Sequence, residues 1–286
     1  MRKSKKRISP VAQAVAVFGR ILAISFLALL VLLILAPVVW MFLSAFRPPD
    51  QIVEYPPRFF PKNYVVQNFK DVYKMIPVNK YILNSFIFSG TVTLGSTLLN
   101  SMAGYAFARM QFKGKNVLFM MFMASMMIPF QVIMIPLFMI VFYMGMLDTY
   151  RGLIIPQLAG VGGIFFLRSF FITLPAQLEE AGRLDGLTEF GIFFRIMLPL
   201  CKTALMTQAV LSFSGCWNNL LWPLLITSSN DRRMLANGIM YFVGQNTVNY
   251  GPAFAAGVIS VFPLLVLFIF GQKYFVNSIV SSGIKG

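Results

Sequence analysis

Histidine is absent from this 286-residue sequence, which removes the side chain on which acid–base and metal sites near neutral pH are most often built. Cysteine is nearly absent too. Cys201 and Cys216 stand fifteen positions apart on one expected helix. At about 1.5 Å per residue they are roughly 22 Å apart, beyond the reach of a disulfide. They form no C-x-x-C, so no redox framework and no metal site are expected. No G-x-x-x-x-G-K-[ST] loop occurs, so the chain is expected to bind no nucleotide or cofactor of its own. Charge is scarce: 12% of residues are Asp, Glu, Lys or Arg, about half the proportion in a soluble domain. That charge leans one way, with nine acids against 24 basic residues. Nucleic-acid binding is one reading of such an excess, but no compact soluble domain carries it, and no nucleic-acid partner is expected.

What fills the chain instead is apolar, with 58% hydrophobic residues, 30 Phe and 18 Met. Lipid is the expected solvent. A bilayer core of roughly 30 Å takes about 20 helical residues. Ile21–Phe46, Tyr81–Ala108, Asn116–Leu147 and Thr203–Asn230 hold no Asp, Glu, Lys or Arg and are each long enough. Ala253–Phe270 is the apolar half of another uncharged stretch. Gly152–Phe171 is interrupted by Arg168, placed near an end from which it can snorkel to the headgroups. These runs lack the alternation of barrel strands. The first run follows MRKSKKR, yet it is far longer than the apolar core of a signal peptide, about 7–15 residues, and is expected to be retained. An all-α integral membrane protein of about six transmembrane helices follows.

With the N-terminus inside, both termini and the second and fourth connections are cytoplasmic. Fifteen of the 24 Lys and Arg then fall inside, the bias that sets orientation in a bilayer. The expected location is the bacterial cytoplasmic membrane, crossed several times. Residues 1–20 form a basic cytoplasmic tail, 21–46 the first span, and 47–80 an external loop carrying RPP and YPPRFFPKNY. Its aromatics Phe59, Phe60 and Tyr64 suit either a partner-facing surface or a membrane-interface belt. Residues 81–275 hold five spans and a long cytoplasmic connection at 172–202, and 276–286 form a second cytoplasmic tail.

That connection contains the densest acidic cluster of the chain, EEAGRLDGLTEFGIFFRIMLP from Glu179 to Pro199. Ala181, Leu184, Leu187, Phe190 and Phe193/Phe194 recur every three or four residues, a helical apolar stripe. Glu179, Glu180, Arg183 and Asp185 lie mostly off it. Gly182 and Gly186 share a flat side, and Gly186 is placed to take a positive φ and turn the chain between two short helices. Pro175 is expected to stop the fourth span and Pro199 to open the fifth. A helix lying in the headgroup layer favours Lys and Arg on its polar face. Four acids against two arginines fit better a helix seated in a groove on a cytoplasmic protein.

Glu180-Ala181-Gly182, three residues, Gly186, nine residues, then Ile196-Met197-Leu198-Pro199 resembles the EAA loop of ABC-importer permeases, with Gly182 where that pattern has Ala. NSFIFSGTVTLGSTLLNSMAGYAFARMQFKGK, MIPFQVIMIPLF, GMLDTYRGLIIP, LRSFF, CWNNLLWPL and the closing SSGIKG are similar to successive parts of the carbohydrate-import branch, the second permease of maltose-type systems in particular. The resemblance runs from about Ile82 to Gly286. It implies a non-catalytic subunit that pairs with a second, similar permease on two copies of a cytoplasmic ATPase, which bind ATP and Mg. An extracytoplasmic solute-binding protein delivers a sugar, expected to be an oligo- or disaccharide. Glu179, Glu180, Ala181, Gly182, Arg183, Asp185, Gly186, Ile196, Leu198 and Pro199 are then the expected ATPase-coupling residues.

Sugars present hydroxyls and apolar ring faces, so uncharged polar and aromatic residues at membrane depth are expected to line the path. Asn84, Asn100, Gln131, Trp217, Asn218, Asn219 and Trp222 qualify, although buried amides also join helices to one another. Glycerol phosphate or a polyol is the alternative solute. A secondary transporter is the rival mechanism, disfavoured because such proteins usually carry ionisable groups inside the membrane.

Overall fold

The computed structural model describes residues 10–244 and 248–283, with side chains from Val17 to Gln272 outside the gap at 245–247. The basic stretch 1–9 and the closing residues 284–286, both assigned to tails above, lie outside the described residues. Apart from one antiparallel bridge, Val243 to Val248, the described residues are helices and connections. They form two compact units, Met1–Asp71 with Asn249–Val258, and Val72–Val248 with Ile259–Gly286.

In the first unit, helix α1 (Pro10–Ala45) runs through the boundary expected at residue 20 and keeps Pro37 inside it. Its apolar window has a mean hydropathy of 3.0 and no buried residue, a surface suited to lipid. The loop after it is tied by its own polar groups. Arg47 is buried, lies 4.4 Å over the Trp40 ring, and donates to the carbonyls of Arg58 and Phe59. Buried Asn68 donates to the carbonyls of Ala45 and Arg47 at 2.9 and 2.7 Å. Phe60 and Tyr64 stay exposed.

The second unit is organised around α2 (Val78–Arg109), whose length and hydropathy suit a crossing. The next two expected spans are broken. Asn116–Leu147 becomes α3 (Lys115–Ser125) and α4 (Phe130–Tyr143), bent by 102°. Pro129 explains the break: it offers no N–H and pushes the residue before it out of helical geometry. Gly152–Phe171 becomes Tyr150–Gln157 and α5 (Val161–Thr173), bent by 42° at a break that contains the extended Gly160. The fifth is displaced. After α6 (Gln177–Leu184), the segment Glu189–Leu200 bends by 80° into α7 (Lys202–Trp217). Pro199 therefore sits before the bend, and Cys201 marks it. Asn218 caps α7, and Leu221–Ile226 is a separate short helix, so no continuous helix runs to Asn230. Helix α8 (Tyr250–Gly283) reaches past the expected end at Phe270. Among the described residues, three long helices and three bent pairs are apolar and long enough for up to six crossings when each pair is counted as one.

Two buried clusters flank the middle of α2. Phe88 and Val92 join Val141, Leu153, Trp222, Ile226 and Met234. Tyr105 joins Leu167, Phe171, Ile192, Phe193, Met197 and Ala204. Arg168 finds partners within the chain. It donates to the Phe107 carbonyl at 3.1 Å and lies 4.1 Å over the Phe119 ring, so internal partners offset its desolvation.

Candidate functional site: a coupling loop and a polar furrow

Helix α6 begins after Pro175 and Ala176 with Glu179 and Glu180 in its first turn, where carboxylates favour the helix dipole. It ends in a Schellman closure: Leu187 N–H donates to the Gly182 carbonyl at 2.9 Å and Gly186 N–H to that of Arg183 at 3.1 Å. Gly186 has φ 79°, the left-handed turn expected of it. The Thr188 hydroxyl then accepts from Gly191 N–H at 3.2 Å and caps the next short helix. A π-turn at Phe193–Met197 carries the chain to Pro199.

The faces of this loop differ from the expected pattern. Glu179 is 5% exposed, and its carboxylate accepts from Arg109 Nε at 2.7 Å. An inward cation explains why this acid leaves the polar face. Leu184 is 90% exposed and Phe190 66%, and with Ala181 and Phe194 also exposed most of the apolar stripe points away from the chain. Leu187 and Phe193 pack into the cluster around Tyr105. Arg183 donates to Glu189 at 2.9 Å, and that bond, with the charges of Glu189 and Glu179, holds its guanidinium pKa above the ordinary value. Glu180, Ala181 and Asp185 are exposed. Gly182 is buried against its neighbours: a Cβ there would stand 2.9 Å from Ile196 Cδ1 and 3.1 Å from Ile192 Cγ1. That fit accounts for glycine where the resemblance has alanine. Ile196 and Leu198 pack on the same cluster, Ile196 lying against Gly182 of α6, and Pro199 is exposed.

Farther along α2 a polar furrow of about 320 Å³ opens between α2, α5 and α7. Val92, Ser96, Asn100, Gln157, Gly160, Gly163, Gln208, Leu211, Ser212, Gly215, Cys216 and Asn219 line it, without a charged side chain. Asn100 accepts from Gly160 N–H at 3.1 Å, and the hydroxyls of Ser96 and Ser212 meet at 3.1 Å. Asn100 and Gln208 converge over Gly163, where a Cβ would lie 2.7 Å from Gln208 Nε2 and closer still to the Asn100 amide.

Of the path residues expected from sequence, Asn100 and Asn219 are brought together here. Asn84 is fully engaged elsewhere, donating to the Asp231 and Arg233 carbonyls and accepting from Tyr150. Trp222 is wholly buried and donates to the Leu153 carbonyl at 3.2 Å, and Trp217 is buried and donates to that of Ser260 at 3.0 Å. Asn218 is exposed and bonds its own helix at the Ser214 carbonyl, and Gln131 is exposed on the first turn of α4. Sequence reasoning missed Ser96, Gln157, Gln208 and Ser212. The signal was the four-residue spacing: Ser96 and Asn100 share a face of α2, and Gln208, Ser212 and Cys216 share a face of α7.

Residues 100–281 match the family described as binding-protein-dependent transport system inner membrane component. The arabinooligosaccharides transport system permease protein AraQ of Halalkalibacterium halodurans is 34% identical over 99% of this chain and 100% of its own length. The sn-glycerol-3-phosphate transport system permease protein UgpE of Pectobacterium atrosepticum is 30% identical over 88% of this chain and 92% of its own. Among solved structures, a chain of a bacterial ABC transporter involved in the import of the acidic polysaccharide alginate superposes with a TM-score of 0.81 at 21% identity, covering 95% of this chain and 100% of that one. That likeness concerns the fold. With more than half of its length matched and a relative aligned end to end, this chain belongs to the family of binding-protein-dependent inner membrane transport components, the non-catalytic, multi-pass permease subunits of ABC importers.

Proposed function

We propose that this chain forms half of the solute path of an ATP-driven importer for an uncharged carbohydrate, an oligo- or disaccharide. The observation that carries the substrate class is the furrow, whose lining offers amides and hydroxyls and no charged group. Neutral donors and acceptors match sugar hydroxyls. A phosphorylated solute is recognised by Arg, Lys or clustered N–H groups, and the lining has no such cation. The relative named for arabinooligosaccharides supports the same class.

Power enters at α6. Leu184 and Phe190 stand exposed on a loop that also displays Glu180 and Asp185, the surface of a helix that seats in a groove on another protein. That protein is a cytoplasmic ATPase, present in two copies and holding ATP and Mg. A second, similar permease supplies the facing half of the path, an extracytoplasmic binding protein delivers the sugar, and lipid covers the remaining apolar faces.

The test is uptake by the complete complex, offered labelled neutral oligosaccharides and glycerol 3-phosphate. Asn100→Leu and Gln208→Leu are expected to lower sugar uptake about tenfold or more at unchanged abundance, since a site built to hydrogen-bond its substrate fails when a partner is lost. Unchanged uptake in both variants, or preferential transport of the phosphorylated solute, overturns the assignment.

A further inference from the structure

The coupling loop and the furrow are separate places on the molecule, and one helix touches both. Ser96 and Asn100 of α2 line the furrow. Arg109, the last residue of the same helix, meets Glu179 of α6. Asn100 and Arg109 are nine residues apart, roughly 13 Å along a rigid helix. The ion pair is made under cover: the side chains are 13% exposed on Arg109 and 7% on Glu179, with Nε and Oε1 at 2.7 Å. Seventy positions of chain separate the partners, so the contact belongs to the tertiary fold.

A second polar link lies one turn back on α2. The Tyr105 hydroxyl donates to Glu189 Oε2 at 3.3 Å, and Arg183 bridges Glu189 and Glu179, at 2.9 Å to the first and 3.8 Å to the second. The last turn of α2 is therefore fastened to both short helices of the coupling loop. Arg109 is also fastened by one prong. Its Nε is bonded, while its Nη2 is buried with no partner among the described residues. Nε and Nη2 form the edge of a guanidinium that takes a carboxylate with both oxygens. Glu179 Oε2 faces Arg183 instead.

We propose that Arg109 and Glu179 are a positioning pair, the joint through which displacement of α6 reaches α2 and so the walls of the furrow. An apolar joint slides at small cost, whereas a buried ion pair resists separation because parting it leaves each charge desolvated and alone. Glu179 thereby has a role different from that of its neighbour Glu180: one faces the inside of the permease, the other the protein docked on it. The proposal rests on the reading that α6 is docked on an ATPase, and it adds where the motion goes next.

The experiment uses the complete complex in proteoliposomes and reads ATP hydrolysis and solute uptake in the same vesicles. Arg109→Glu and Glu179→Arg are each expected to lower the solute moved per ATP about tenfold or more, with the ATPase still bound and hydrolysing. The double exchange Arg109→Glu/Glu179→Arg is expected to recover most of that loss. Arg109→Lys and Glu179→Gln provide milder variants where a reversal disrupts assembly, and Lys is expected to retain more of the ratio than Gln. An unchanged ratio in the single variants overturns the joint, as does a double variant no better than the worse single one. Leu184→Glu separates this from the docking idea. It is expected to release the ATPase, whereas the pair variants keep it. Full ATPase binding and full uptake with Leu184→Glu reject the docking and leave the ratio measurements to judge the pair on their own.

Discussion

Glu179 and Glu180 are neighbours of one chemical type, yet the helix turns the first onto Arg109 at 2.7 Å and leaves the second exposed. Asparagine divides in the same way, Asn84 spending its amide on three protein partners while Asn100 lines the furrow. A residue type names what a side chain can bond, and its place in the fold decides which bond is made. Asp148 shows how one such bond depends on pH. It adopts φ 54°, a left-handed conformation that Asp tolerates, and its carboxylate accepts from the N–H groups of Ser228 and Ser229 at 3.1 Å each. Burial pushes its pKa up, but the hydrogen bonds from Ser229 and Ser228 and the charge of Arg232 outweigh it and hold the carboxyl below the usual Asp value. A depressed folded pKa gives stability that is complete above the unfolded value, about 3.9, and is lost as pH falls through the folded one. Asp148→Ala is expected to cost about 1–2 kcal/mol at pH 7. Thermal unfolding of the purified protein in detergent checks this, and the gap between variant and parent is expected to narrow below about pH 4.

Among the elements, α6 and its turn carry the next expectation. Gly186 closes the helix at φ 79°, and no atom stands within 4 Å of the place a Cβ would take there, so backbone conformation alone demands glycine. A β-branched residue in that region is strained by about 1–3 kcal/mol, enough to move the turn without unfolding the spans. Gly186→Val is expected to insert normally and to lose most ATP-driven uptake; normal uptake at normal abundance would separate the turn from coupling. The turn and the apolar period of 181–194 were legible because both are written in local sequence. The inward face of α6 was not, because Arg109 lies seventy positions away. The spans show a similar divide. Their positions follow from hydropathy, which says nothing about backbone direction, so the bends of 102° and 80° went unread. Pro129 and Pro199, beside those bends, were the available clues. The furrow was half legible. Asn100 and Asn219 stood out as amides in apolar runs, whereas Gln157 and Gln208 gain their meaning only once α2, α5 and α7 meet.

For the whole molecule, the distribution of charge decides how transport can be driven. A proton- or ion-coupled transporter needs groups at membrane depth that bind the driving ion, and these are usually Asp, Glu or His. Histidine is missing, and Tyr81–Ala108, Asn116–Leu147 and Thr203–Asn230 hold no acid. Arg168 is held by the Phe107 carbonyl and the Phe119 ring. The walls of the furrow are neutral as well. The apolar runs therefore offer no acid or histidine through which a proton or ion gradient could favour one arrangement over another. On the proposed function, the bias comes from a partner that binds one arrangement more tightly than the other. Ionophores that collapse proton and sodium gradients are therefore expected to leave uptake by ATP-loaded proteoliposomes of the complete complex within about twofold of the untreated rate. Withdrawal of ATP is expected to abolish that uptake, and vesicles holding this chain alone are expected to accumulate nothing under any gradient. Gradient-driven accumulation by the chain alone would make it a secondary transporter, and α6 would then need another purpose.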